Sequence, residues 1–533
     1  MVDWSTERAE TIAAGSFVFK LLDKDGEPLA DLHGATEWEA PETVNATEVF
    51  TGRWAGTHPV VDLLLPLGDA GDAAPEGAWR ALVDDAQWIM VQAGPSWRDR
   101  LVYRVARITD NHGRAKDDIE VEAESLFRHV EKIAVRADPT SPLALQVRYR
   151  DTRGGQSHKV LKDYLLVNLR RDFQPGGISG WDLWTPSSWA GIVPDLWPIM
   201  VNPRMPNIPT VFTLLDARFD MAADLFAETL DAAGLQLTAD LWLVGDPQPF
   251  PEFCTLTAPT IVLDVVPRGW DTSVTGHLGD ALRGLVRSFD AENNAPVIGL
   301  GDRPHTHDGA LPWIVWRPAH MRRVTSAFTV TKSTDWRVTV GGRSPEAINR
   351  MLAGTTKAIF NGLGFALASA IPVFGGLLVA GATLLGEWVS DATKDKLFAW
   401  ASYSNAKRKA AHGRLAYRDQ VYSGDGWSLQ SMQQGYSGLA AGAGSVSVAF
   451  ETDDAAPYRM FRDFRAGDQC GAEHRGLVFG SYIHTCSIGS KRGEPFQTVE
   501  LGDPEGRESP VRALAVTTKG LKSALDRVKT FIN

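Results

Sequence analysis

Cysteine is scarce: Cys254, Cys470 and Cys486 are the three in 533 residues, and no pair has CxxC spacing. That excludes a disulfide framework or a zinc knuckle as the organising element. A basic excess is missing too, with 54 Lys and Arg against 65 Asp and Glu, a net charge of −11 at pH 7. No phosphate-gripping face is therefore indicated. Met1 to Ala14 carries Asp3, Glu7 and Glu10 without an apolar h-region, so it does not read as a secretory signal. Gly341-Gly342-Arg343-Ser344-Pro345 lacks the GxxxxGK[ST] spacing of a phosphate loop. From Ala358 to Gly386 there is no charge at all.

That uncharged stretch is the centre of the chain's organisation. It is longer than the ~20 residues that span a bilayer, yet Pro372 interrupts it and Gly375-Gly376 follow. Proline removes a backbone donor and clashes with the preceding turn. The pattern predicts two apolar helices, about 355–370 and 373–388, folded into a hairpin. Small residues recur four apart at Gly362, Ala366 and Ala370, then at Gly376 and Ala380, a spacing that lets helix backbones approach closely. Three readings stay open: a core hairpin of one soluble domain, a hairpin buried between copies of the chain, or a segment that enters a host membrane.

Around it the pattern is mostly β. Residues 16–32 read as a hairpin turning at Asp25-Gly26, with strands at 48–54, 59–65, 87–91, 101–108 and 119–123. Helices are expected at 125–133, 159–170 and 221–233, the last capped by Asp220 and stopped by Gly234. Strands at 235–243 and 260–265 and a helix at 278–288 follow. Residues 323–330 and 336–340 read as paired strands. A final β region begins at 445, and 521–532 has the spacing of an amphipathic helix. Lys407-Arg408-Lys409 with Arg414 and Arg418 reads as a solvated helix face, or as a contact for acidic lipid heads.

Eighteen tryptophans suit an assembly component, because indoles favour interfaces. Trp181, Trp184, Trp189 and Trp197 crowd a proline-rich loop at 173–209. They are candidates for packing on a neighbouring subunit, or for stacking on glycans with Asp182 and Asp195 as hydrolytic acids. His305 and His307 form an HxH between Pro304 and Gly309, and His277 and Asp280 are one residue short of the HxxxD that zinc peptidases place upstream. A solvated turn is the simpler reading, so no metal, cofactor or catalytic residue is assigned.

Several pieces then fall in one order: Ala233-Gly234-Leu235 with Leu243-Val244-Gly245-Asp246-Pro247-Gln248-Pro249, Val338-Thr339-Val340-Gly341-Gly342-Arg343-Ser344-Pro345, the apolar hairpin, Ala456-Pro457-Tyr458 and Gly467-Asp468. This order resembles the minor tail proteins of long-tailed actinobacteriophages, the family that forms the tail-tip or baseplate hub. The resemblance implies a structural virion protein rather than an enzyme. It implies a homo-oligomer, usually a trimer, that meets the distal tail protein, other minor tail proteins and the tape-measure protein, with DNA passing unbound. Its fold class is α+β: several small antiparallel β-barrel or sheet domains, helical insertions and one apolar hairpin. The expected segments are 1–136, 137–210, 211–352, 353–400, 401–444 and 445–533.

Overall fold

The computed structural model describes residues 4–13, 17–66, 83–113, 117–141, 143–174, 184–189, 191–205, 212–267, 314–316, 325–343, 400–425, 435, 438–439, 442, 444–453, 458–461, 463–474 and 477–502. They fall into two compact units, Met1–Phe328 with Ser447–Gly502, and Thr329–Val446 with Asp503–Asn533.

In the first unit, period-two alternation sorts side chains to two sides of one sheet. On strand Val18–Leu22, Val18 and Leu22 enter one core while Phe19 and Leu21 enter another. Met90 likewise separates from Ile89 and Val91, and Val102 from Leu101 and Tyr103. Buried on both faces, these strands anchor a 13-stranded sheet.

The sheet joins the two ends of the sequence. Thr485 to Lys491 run antiparallel to Glu37–Thr43, so the N-terminal and C-terminal β regions are one structure. One core is aromatic: Phe19 and Trp38 lie 4.8 Å apart between ring centroids, and Phe50 and Tyr103 5.5 Å. Two of its polar tips are satisfied, with Trp54 Nε1 donating to Leu32 O at 3.0 Å and Tyr103 Oη to Pro41 O at 2.6 Å. The other core packs helix Ser157–Phe173 and helix Ala222–Ala233 against a three-stranded sheet ordered 199–201, 260–267, 235–242.

The sheet-rich α+β class holds, but the sheets of the described residues are open ladders, not closed barrels. The hairpin turn at Asp25-Gly26 holds, with Gly26 at φ +81°. Residues 59–65 are not a strand: Val60–Leu64 is a short helix that buries Val60 and Leu64. Helix Ala222–Ala233 ends as expected at left-handed Gly234, but its N-cap is Met221. Asp220 instead accepts from the Arg218 backbone N–H.

The second unit holds a three-stranded sheet, ordered Trp400–Ser404, Arg337–Arg343, Gln420–Asp425. Residues 337–343 thus pair with 400–404 and 420–425 rather than with the strand before them. Val338, Val340 and Leu439 form its small core with Tyr403 and Tyr422. The predicted helices at 278–288, 355–370, 373–388 and 521–532 lie outside the described residues.

Candidate functional site

Three places gather the residues singled out by sequence. The first is the root of the apolar stretch. Gly341 pairs with Trp400 in antiparallel register, and Gly342 and Arg343 pair with Gly424 and Asp425 on the other side. The chain therefore leaves and re-enters at the same end of one small sheet. Ser344 and Pro345 of the family motif lie outside the described residues. So do Gly362, Ala366, Ala370, Pro372, Gly375, Gly376 and Ala380.

The basic run lies at the other end of that sheet. Helix Ala406–His412 begins after Ser404, which pairs with Arg337. Strand geometry puts about 13 Å between that point and the Gly341–Trp400 pair. Asn405 caps the helix, its side chain accepting from Arg408 N at 3.0 Å. Arg408 is not part of a solvated face: it is buried, donating to Asp335 O at 2.6 Å and Leu439 O at 2.8 Å. Lys407 and Lys409 remain exposed, Lys409 lying 4.6 Å from the Trp336 ring centroid.

The second place is a buried charge network in the first unit, built on two of the family motifs. In Gly245-Asp246-Pro247, Gly245 takes φ +93° and turns Asp246 inward. Asp246 accepts from Arg8 at 2.8 Å and from Arg100 at 2.9 and 3.2 Å. The Arg100 side chain is fully buried. In Gly467-Asp468, Gly467 takes φ +92°, and Gln236 fills the space a Cβ would need. Asp468 accepts from Arg465 N at 2.9 Å, which fixes the turn that presents Arg465.

Arg465 donates to Glu42 and, at 2.8 Å, to Arg98 O, and lies 3.6 Å from Asp240. Ala466 N adds a third donor to Glu42 at 3.1 Å. Beyond Asp240, Asp264 accepts from Asn202 at 2.6 Å and meets Lys162 at 2.7 Å and Arg98 at 3.5 Å. Burial raises the Asp240 carboxyl above the usual range against the pull of Arg465 and Arg98. Burial also pushes Asp264 upward, but Lys162 and Arg98 outweigh it, and its carboxyl is lowered. The Arg465 guanidinium loses solvation, yet Glu42 and Asp240 raise its pKa. Paired ions of this kind fix a register between elements and contribute little net stability. Chemically the network positions strands, and a small recess of about 60 Å³ borders it at Glu42, Arg100, Asp240 and Arg465. Sequence reasoning did not reach Glu42, Lys162, Asp240, Asp264 or Arg465. One signal was available, because Asp264 interrupts the apolar run Ile261-Val262-Leu263 and Val265-Val266.

The third place is the tryptophan loop. Trp189 and Trp197 are each 1% exposed, and both belong to the chain's own core. Trp189 packs edge-on to Phe250 and Phe253, and Trp197 Nε1 donates to Gln174 Oε1 at 3.3 Å. The chain's own core buries both indoles in this fold. Trp184 is half-buried with Lys159 5.8 Å from its ring centroid. Asp195 accepts from Thr257 Oγ1. Trp181, Asp182, His277, Asp280, His305 and His307 lie outside the described residues. A cleft of about 950 Å³ opens beside helix Trp4–Ala13, walled by Phe17, Phe19, Trp38 and Arg459 and bordering the charge network at Arg8 and Asp246.

Comparison with known proteins adds a family. The family model described as Siphovirus ReqiPepy6 Gp37-like protein matches residues 18–503. No curated protein matches the chain. Among solved structures, the chain is similar to a tail protein from Neisseria meningitidis MC58, at 8% identity and a TM-score of 0.41, covering 93% of this chain and 99% of that one. It is also similar to the 43 kDa tail protein of prophage MuSo2 from Shewanella oneidensis, at 10% identity and 0.43, covering 92% and 100%. A third is prophage tail protein gp18 from Listeria monocytogenes EGD-e, at 10% and 0.36, covering 95% and 99%.

Proposed function

The chain belongs to the Siphovirus ReqiPepy6 Gp37-like protein family, and from that membership we propose that it is a structural minor tail protein of the siphophage virion, forming the tail-tip hub. Copies of the chain associate, most simply as a trimer around the tail axis. The distal tail protein, other minor tail proteins and the tape-measure protein are its neighbours. Its task is mechanical rather than enzymatic: it closes or lines the end of the channel and takes part in host attachment and DNA delivery.

The observation that supports this reading best is the root of the uncharged stretch. With Gly341 and Trp400 paired, residues 344–399 form one excursion from a rigid edge. Its uncharged middle, Ala358 to Gly386, is long enough to call for cover, and a second copy or lipid would supply it. Glycine 362, Ala366, Ala370, Gly376 and Ala380 suit close packing between helices about an axis. On host contact the same stretch is released to the cell membrane. The chain's negative charge disfavours sticking of the passing DNA.

Imaging of the intact particle, with residues 344–399 located relative to the tail axis, tests the assignment. Density for that stretch at or below the axial channel is expected. Its location on the outer wall of the tail, away from the axis, would overturn the channel role.

A further inference from the structure

Residues 143–150 of the first unit, Leu-Ala-Leu-Gln-Val-Arg-Tyr-Arg, alternate apolar and other residues as a half-buried strand does. Yet Leu143, Leu145, Val147 and Tyr149 are 62%, 65%, 76% and 67% exposed. The segment leads directly into strand Asp151–Gln156, whose register with 212–217 stops at Asp151–Ala217. Within the described residues, 143–150 belongs to no sheet. Arg218 lies 4.0 Å from the Tyr149 ring centroid and donates to its hydroxyl, and Phe219 and Met221, next to Arg218 in the chain, are exposed. Together these side chains expose on the order of 500 Å² of apolar surface, comparable to the largest, often functional, patch of a soluble monomer.

Among the described residues, the same unit has an edge with no strand on it. Strand Arg100–His112 is flanked on one side by 117–125 along most of its length. On its other side, Trp88–Gln92 covers 100–104, and Val105 N still donates to Gln87 O. Among the described residues no strand pairs with that side of 106–112. Val105 and Ile108 there are half-buried, at the rim of the aromatic core.

We propose that residues 143–150 of one copy add as a strand to the 106–112 edge of the next copy. The inference rests on the oligomeric reading above and names its contact. The lengths match, eight residues against seven, about 24 Å of ladder. Leu143, Leu145, Val147 and Tyr149 extend the apolar face beside Val105 and Ile108. Strand addition of this kind supplies main-chain hydrogen bonds as well as the side-chain contact. With the receiving edge, the contact covers roughly 1,000 Å² in total, about the threshold for a specific interface. Donor and acceptor surfaces differ, so the contact is head-to-tail and closes into a ring when its rotation permits.

The full-length chain tests this by light scattering and cross-linking. The wild-type chain is expected to assemble, and Leu145→Lys with Val147→Lys to yield monomers with an unchanged thermal midpoint. Val147→Cys and Ile108→Cys, carried on separate copies, are expected to form a disulfide when mixed and none when either is alone. Cys470 and Cys486 are buried, and the partly buried Cys254 is replaced by Ser in every variant to limit background. Wild-type-like assembly of the lysine variant, or a failure of the mixed cysteines to bridge in assembled protein, overturns the strand addition and leaves the ring intact. Full labelling of Val147→Cys in the assembly does the same and leaves the strip to another tail component. A monomeric wild-type chain overturns the ring reading and the strand addition with it.

Discussion

Gly341 faces Trp400 across two adjacent antiparallel strands, although residues 342–399 separate them in sequence. A connection whose ends already lie side by side adds little strain whatever its length, since closure entropy grows only slowly with loop size. The three-stranded sheet is thus complete without the excursion it carries.

Replacement of 344–399 by a short Gly-containing turn is therefore expected to leave the fold intact. Thermal unfolding should stay within a few degrees of the full chain, while virions carrying the deletion lose DNA delivery. A cooperative collapse of the purified deletion variant would show that the sheet depends on the excursion.

Arg465→Ala leaves Glu42 and Asp240 buried without their shared cation. A cost of about 3–5 kcal/mol is expected for a broken buried pair, measured by urea unfolding. Arg465→Lys keeps the charge but loses the fork that spans Glu42 and the Arg98 carbonyl. It should fall between the two.

Gly467→Ala meets a left-handed backbone and the Gln236 side chain at once. A loss of about 1–3 kcal/mol is expected. Pairing it with Gln236→Ala should recover only the steric part, because the backbone strain remains.

His158 is buried at the start of helix Ser157–Phe173 beside Lys162 and Lys159. Burial first, and then the two lysines, lower its pKa from 6.5 to about 4. Between those values the unfolded chain binds the proton more readily than the folded one. Stability should therefore fall as pH drops from about 6.5 towards about 4. In His158→Gln the part of that slope due to this residue disappears, as pH-dependent denaturation would read out.

Trp189→Ala removes an indole that is 1% exposed. A cost of about 3–5 kcal/mol is expected from the lost burial together with the cavity left behind. Host adsorption of particles that still assemble should be unchanged. A selective loss of adsorption at unchanged stability would return this tryptophan to the glycan reading.

Much of the site was legible only in part. Gly245-Asp246-Pro247 and Gly467-Asp468 stood out as motifs, and the structure shows both as turns that aim charge inward. Their partners Arg8, Arg100 and Glu42 did not stand out, because a buried ion pair leaves no periodic trace. Lys407-Arg408-Lys409 read as one basic face, yet the carbonyls of Asp335 and Leu439 draw Arg408 inward. Residues 59–65 are a short apolar run that reads as a strand, but the local turn after His58 closes them into a helix.

By itself, the sequence determined the β-rich character, the Asp25-Gly26 turn, the Gly234 helix stop, the uncharged excursion and the siphovirus family. Each is written in a short window, where side-chain period and backbone freedom act directly. Only the tertiary structure decided that 37–43 and 485–491 share a sheet, that 337–343 pairs with 400–404, and that Trp189 and Trp197 belong inside. Those outcomes depend on which distant surface each strand or ring covers, and burial is a property of the assembled core that no local pattern contains.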